Sequence, residues 1–238
     1  MAKNKKDPSF INPPASLDGH IFYGLQLDED QKRFREAIWN DDVDIVFVDA
    51  KAGSGKTTIA VATSVMAVKY KKYDEIFYVM HSVGDAQGFL PGTISEKSSV
   101  WFEPLYQALI EAGEIPDQVV KNTASQKSGT AYITAITDSY LRGSNLGTSE
   151  NGAILIVDEA QNYDEFSLRK VLTRACQGTK VIVIGHTLQC DLPQGKKSGF
   201  KPCMDHFLAK QDPRVAFCKL TTNHRSWVAN VADEPWNQ

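Results

Sequence analysis

The stretch "VFVDAKAGSGKTTIAVA", residues 46–62, constrains the fold more than any other part of the chain. An apolar run stops near Ala50, two glycines follow in "AGSG", and Lys56-Thr57-Thr58 opens a segment with helical patterning. Glycine accepts backbone angles that side chains forbid, so successive N–H groups of such a turn can converge on one point. The helix that starts there adds unpaired N–H groups and a partial positive charge. These features describe a phosphate cradle, with Gly53, Ser54, Gly55, Lys56, Thr57 and Thr58 as candidate nucleotide-binding residues. Lys56 would meet the β- and γ-phosphates, and Thr57 would offer its hydroxyl to Mg2+. The usual GxxxxGK(S/T) pattern opens with glycine where this chain has Ala50, a mild departure. A glycine-rich turn that merely closes a strand–helix corner is the competing reading. The order strand, turn, Lys-Thr and helix argues against it.

A cradle of this kind needs a sheet around it. Strand-length apolar runs recur at 44–50, 75–80, 131–136, 153–159, 180–185 and 215–220, and helical patterns at 56–70, 99–112 and 164–176 separate several of them. Continuous apolar strands alternating with helices predict an α/β fold, a mainly parallel sheet with helices on both faces. Ahead of the first strand, "LDEDQKRFREAIWN" spaces Leu27, Phe34, Ile38 and Trp39 as on one helix face, with Asp28 as its N-cap. The 238 residues suffice for one large domain, read as 21–238, with the basic, Pro-rich residues 1–20 as a flexible tail or loosely docked arm. A net charge of −3 supplies no global attraction for a polyanion, so any nucleic-acid contact needs a local basic patch. The four cysteines are irregularly spaced without a CxxC pair, which predicts reduced thiols. No apolar run reaches membrane-spanning length and no secretory signal follows the N-terminal lysines, so the expectation is a cytoplasmic protein without membrane contact.

Hydrolysis needs a second half, and "AILIVDEAQ" supplies a candidate. Asp158 and Glu159 fall at a strand end, where open parallel sheets gather their ligands. Asp158 would hold Mg2+ through its water shell, and Glu159 would orient and polarise an attacking water. An acidic pair after a strand also serves as a helix N-cap. Only beside the lysine turn does it read as a hydrolysis site. Three further residues are candidates: Gln189 in "VIVIGHTLQCDLP" to sense a γ-phosphate, Arg225 in "LTTNHRS" to neutralise charge on the transferring group, and Gln31 to read the adenine edge. Their bland alternatives are loop solvation, a surface salt bridge and a solvated helix face.

The order of the Gln31 segment, "AGSGKTT", "DEAQ" and "GHTLQCDLP" resembles the ATPase core of superfamily-one helicases. Three segments carry a closer resemblance to the PhoH-like proteins, a family of phosphate-starvation-inducible ATPases: "GFLPGTISEKSSVWFEPLYQAL" at 88–109, "YLRGSNL" at 140–146 and "LTRACQGTKVIVIGHTLQCDLP" at 172–193. The likeness extends over roughly residues 25–230 and implies a single RecA-like P-loop NTPase domain with ATP and Mg2+ as ligands. It matches Gly53, Gly55, Lys56, Thr57, Asp158, Glu159, Gln161 and Gln189 to family motifs, with Arg142, Arg174 and Arg225 as candidate arginines. It further implies ATP hydrolysis coupled to RNA or single-stranded DNA. A monomeric superfamily-one motor places ATP between two RecA-like domains, and this chain has room for one. Either identical subunits therefore form a homo-oligomeric ring, hexameric by expectation, with a neighbour's arginine completing each site, or no strand movement occurs. Two positions depart: His186 stands where the family usually has Asp, and "MHSVGDAQ" where it tends to have "RP". These departures bear on the coupling of phosphate sensing to movement, which keeps a nucleotide-dependent switch or scaffold as the alternative. Residues 81–130 read equally as a lid, a strand-binding surface, an oligomer contact or a packed extension.

Overall fold

In the computed structural model, which describes residues 12–81, 102–141, 145–147, 152–189, 191–193 and 195–232, the apolar runs become parallel strands. They are β1 (Ile45–Ala50), β2 (Glu75–Met80), β3 (Ile133–Thr137), β4 (Ala153–Val157), β5 (Thr179–Gly185) and β6 (Val215–Leu220), in the spatial order β3-β2-β4-β5-β1-β6. Every pairing in this sheet is parallel. The glycine turn follows β1 and the acidic pair follows β4, with β5 lying between them. Three neighbouring strand ends therefore converge on one site, as the crevice rule for open sheets requires.

Side chains alternate between the two faces of the sheet. Val46, Val48, Ile154, Ile156, Ile182 and Ile184 pack with helices α1 (Glu29–Trp39), α2 (Lys56–Lys69) and α3 (Glu103–Glu111). The short helices α4 (Pro116–Val119) and α5 (Thr123–Ser128) then lead into β3. On the other face Phe47, Leu155, Val157, Val181 and Val183 pack with α6 (Glu165–Leu172) and α7 (Phe200–Leu208), and α8 (Trp227–Ala232) follows β6. The fold is thus the expected single RecA-like α/β domain with both faces covered. α2 is buried almost all round because it lies against the sheet and against both α1 and α3. Among the described residues no helix is long and apolar enough to cross a membrane.

Local differences from the sequence reading have physical causes. The strand expected to reach Glu159 ends at Val157, since Glu159 turns into the left-handed region at φ 50°, ψ 44°. The helix expected over 164–176 stops at Leu172, because Ala175 is drawn into a bridge with Leu146. The expected arm is docked from Pro14 on: its carbonyl accepts the Trp39 indole N–H at 2.8 Å, and Leu17 is fully buried beside α1. Arg142, Cys190 and residues 82–101 lie outside the described residues.

Candidate active site

Gly53 and Gly55 sit at φ 74° and 75°, the left-handed conformation that suits glycine. At Gly53 there is also no room: an added Cβ would lie 2.3 Å from Asn223 Oδ1 and 2.6 Å from Arg225 Cγ. The turn is braced from α1. Asp28 and Gln31 form a capping box there, the Gln31 Oε1 accepting the Asp28 N–H at 3.0 Å, while Nε2 donates to the Ser54 carbonyl at 2.9 Å. The Gln31 amide thus braces the cradle, and the same residue lines the cleft beside it. The Ser54 hydroxyl is buried in the turn with no partner among the described residues. The Thr58 hydroxyl donates to Glu111 of α3 at 2.8 Å, and both residues line the cleft beside the turn. A cleft of ≈ 270 Å³ opens beside the turn, with Leu25, Leu27 and Ile59 as apolar walls and Gln31, Glu111 and His224 as polar ones. Leu25 and His224 had no signal in the sequence beyond their nearness to motif residues, and Leu27, expected on the α1 face, lies ahead of the N-cap Asp28.

The acidic pair closes onto the start of α2. The Thr57 hydroxyl donates to Asp158 Oδ2 at 2.8 Å, the Tyr78 hydroxyl donates to the same oxygen at 2.6 Å, and the Glu159 N–H donates to Oδ1 at 2.8 Å. Asp158 is wholly buried, and that burial, followed by the Glu159 charge, pushes its carboxyl above the usual carboxylate range, against the opposing pull of Lys56, Tyr78 and Thr57. Lys56 Nζ stands 3.1 Å from Glu159 Oε1, and Gln161 donates through Nε2 to Glu159 Oε2. The left-handed backbone of Glu159 costs about 1–3 kcal/mol and persists only where its surroundings hold it, which is characteristic of functional positions. A hydroxyl and a carboxylate at hydrogen-bond distance form the hard-oxygen pair that Mg2+ uses together with phosphate oxygens, so Thr57 and Asp158 fit that ion.

Tyr78 is a site residue that the sequence reading missed. Its signal was a hydroxyl in the midst of the apolar residues Ile76, Phe77, Val79 and Met80, which demands a buried partner. Tyr78→Phe removes a donor from a buried carboxylate and should cost about 1–3 kcal/mol in unfolding free energy. Urea unfolding measures this, and an unchanged midpoint and slope would mean the hydroxyl is dispensable to Asp158.

The candidate arginines separate cleanly. Arg225 rests on Gly53 of its own chain, next to His224, whose N–H donates to the Gly53 carbonyl at 2.9 Å. Arg174 lies in the turn between α6 and β5, and its carbonyl accepts the N–H of Leu146, just ahead of β4. That is the opposite end of the sheet from the glycine turn. The Arg174 Nε is buried without a partner among the described residues. Gln189 is exposed in the turn after β5, and among the described residues no hydrogen bond joins it to Lys56 or Glu159.

A family model described as "PhoH-like protein" matches residues 26–230. A PhoH-like protein of Mycobacterium leprae (strain TN) is 38% identical over 177 residues, 74% of this chain and 47% of the relative. Protein PhoH of Escherichia coli (strain K12) is 32% identical over 222 residues, 92% of this chain and 56% of the relative. The chain thus spans about half the length of the curated relatives it matches. Among solved structures, DUF1998 helicase MrfA bound to DNA superposes with a TM-score of 0.50 at 12% identity, over 89% of this chain and 30% of that one. At that identity the likeness is one of fold.

Proposed function

The chain belongs to the PhoH-like protein family, and from that premise we propose that it binds ATP with Mg2+ and hydrolyses it, coupling turnover to RNA or single-stranded DNA. The observation that carries this reading is the meeting of two distant segments: Thr57 with Asp158, and Lys56 with Glu159. The N–H groups of the glycine turn and the start of α2 cradle the phosphates. The base lies in the cleft walled by Leu25, Leu27 and Ile59. Thr57 and Asp158 hold Mg2+, which supplies charge neutralisation on the phosphate oxygens. Lys56 exchanges its ion pair with Glu159 for the β- and γ-phosphates, which frees a carboxylate oxygen to take a proton from water. Gln161 keeps its hold on the other oxygen, so the carboxylate stays aimed. Arg225, already against the glycine turn, neutralises charge on the transferring group, and Gln189 senses the γ-phosphate.

In the same reading the chain works in the cytoplasm as a homo-oligomeric, hexameric ring, with residues 21–238 as its ATPase domain and Arg174 serving a neighbour's site. Cys203 and Cys218, both free, suit such a compartment: burial pushes their thiols up to about 11, which keeps them protonated and unreactive. One observation favours a second reading, a nucleotide-dependent switch without strand movement. The segment bearing His224 and Arg225 lies on the glycine turn and runs directly into α8, whose Trp227 is 77% exposed. Phosphate binding would then be read out as movement of that helix.

Lys56→Ala tests the common premise. Removing the charge that meets the phosphates should weaken ATP binding roughly tenfold or more, the scale of a lost charge-assisted contact. Titration with a fluorescent ATP analogue measures it, and unchanged affinity would make the turn merely structural.

A further inference from the structure

Asp49 is a buried carboxylate that the mechanism above does not use. It sits near the end of β1, after the apolar run Ile45–Val48, one residue before Ala50. A buried charge is costly unless its oxygens are bound. Both are bound, and to one residue: Oδ1 accepts the Thr187 N–H at 2.9 Å and Oδ2 accepts the Thr187 hydroxyl at 2.9 Å. The preceding N–H, that of His186, donates to Gln161 Oε1 at 3.1 Å. Gln161 grips Glu159 with its other end.

Two consecutive N–H groups of the loop after β5 are therefore held from opposite sides. One is held by the strand that feeds the glycine turn, the other by the amide that aims Glu159. A two-point grip by Asp49 on Thr187 fixes both the position and the rotation of the loop. We propose that Asp49 is a positioning residue, which acts through Thr187, His186 and Gln161 to hold Glu159 in register with the glycine turn. The proposal rests on Glu159 being the base for ATP hydrolysis. The same grip sets the start of the turn that carries Gln189, whose N–H donates to the His186 carbonyl at 3.3 Å.

The test compares Asp49→Ala, Thr187→Val, the double variant and Thr187→Ser, each checked for cooperative unfolding. Hydrogen exchange is read on peptides covering 158–162 and 186–189, alongside kcat, KM and affinity for a fluorescent ATP analogue. Loosening the loop should raise exchange in both peptides. It should lower kcat by roughly tenfold to a hundredfold, the scale of a small misplacement at a reacting group, with affinity changed less than about twofold. Thr187→Ser, which keeps the hydroxyl, should recover the rate. The double variant should lose no more than Asp49→Ala alone, because Asp49→Ala already removes both hydrogen bonds and Thr187→Val removes one of the same two. Exchange rising only in 186–189, equal damage from Ser and Val, or parallel losses of affinity and rate would each overturn the proposal. Wild-type protein without ATP turnover would overturn the hydrolysis reading instead, and exchange at 158–162 would still decide whether Asp49 positions Glu159.

Discussion

Glu159→Gln is expected to leave ATP bound while slowing hydrolysis roughly 10²-fold or more, since an amide cannot accept the proton of an attacking water. The geometry adds a second consequence. The Glu159 carboxylate holds the Lys56 ammonium at 3.1 Å, so in the wild-type chain the phosphates compete with Glu159 for that charge. An amide gives up much of that competition, and affinity for ATP should stay level or rise. Gln161 should feel the change too, because its Nε2 donates to Oε2 and would face another amide in one of the two orientations of the new side chain. Rapid-quench turnover under saturating ATP gives the rate, and equilibrium titration gives the affinity. Losses of equal size in both would make Glu159 a metal ligand or a cap rather than the base.

What could be read from the sequence was what local chemistry decides. Gly53 and Gly55 take their positive φ where a phosphate turn needs it, and Asp28 caps α1 as its spacing suggested. Lys56, Thr57, Asp158 and Glu159 carry signals in the types and order of their neighbours, and the sheet brings them together. The remainder depended on which strands lie side by side. Tyr78 reaches Asp158 because β2 pairs with β4, an adjacency that no local pattern encodes. Asp49 meets Thr187 because β1 pairs with β5. The hold of the Gln31 amide on the glycine turn could not be read locally, because its acceptor, the Ser54 carbonyl, belongs to a different element. The left-handed turn at Glu159, which ends β4 early, contradicts the propensity of its residue and reflects the contacts holding it.

The arginine that serves the transferring phosphoryl group should show the largest effect, a loss of ~10³-fold or more in turnover when it is removed. Arg225→Ala is the first test, with Arg225→Lys as a control that keeps an aliphatic stem over Gly53 and a charge at its tip. Its position on its own glycine turn makes it a cis residue, so Arg225→Ala chains mixed with Lys56→Ala chains should recover nothing beyond the activity of either alone. Arg174 is different. It stands at the far end of the sheet, beside Leu146 and away from its own chain's glycine turn. If it acts on ATP at all, it acts on a neighbour. Mixing inactive Arg174→Ala chains with inactive Lys56→Ala chains then pairs, at some interfaces, an intact nucleotide site with an intact arginine, and turnover returns. Native mass spectrometry with and without ATP and Mg2+ reads the assembly in the same samples. Complementation by Arg174 with none by Arg225 supports the ring. Arg174→Ala chains with full activity would leave its buried Nε a structural feature of the α6–β5 turn. A chain that stays monomeric with ATP, and complements in neither mixture, has no neighbour to supply an arginine. The switch would then replace the ring, with α8 as the element that moves.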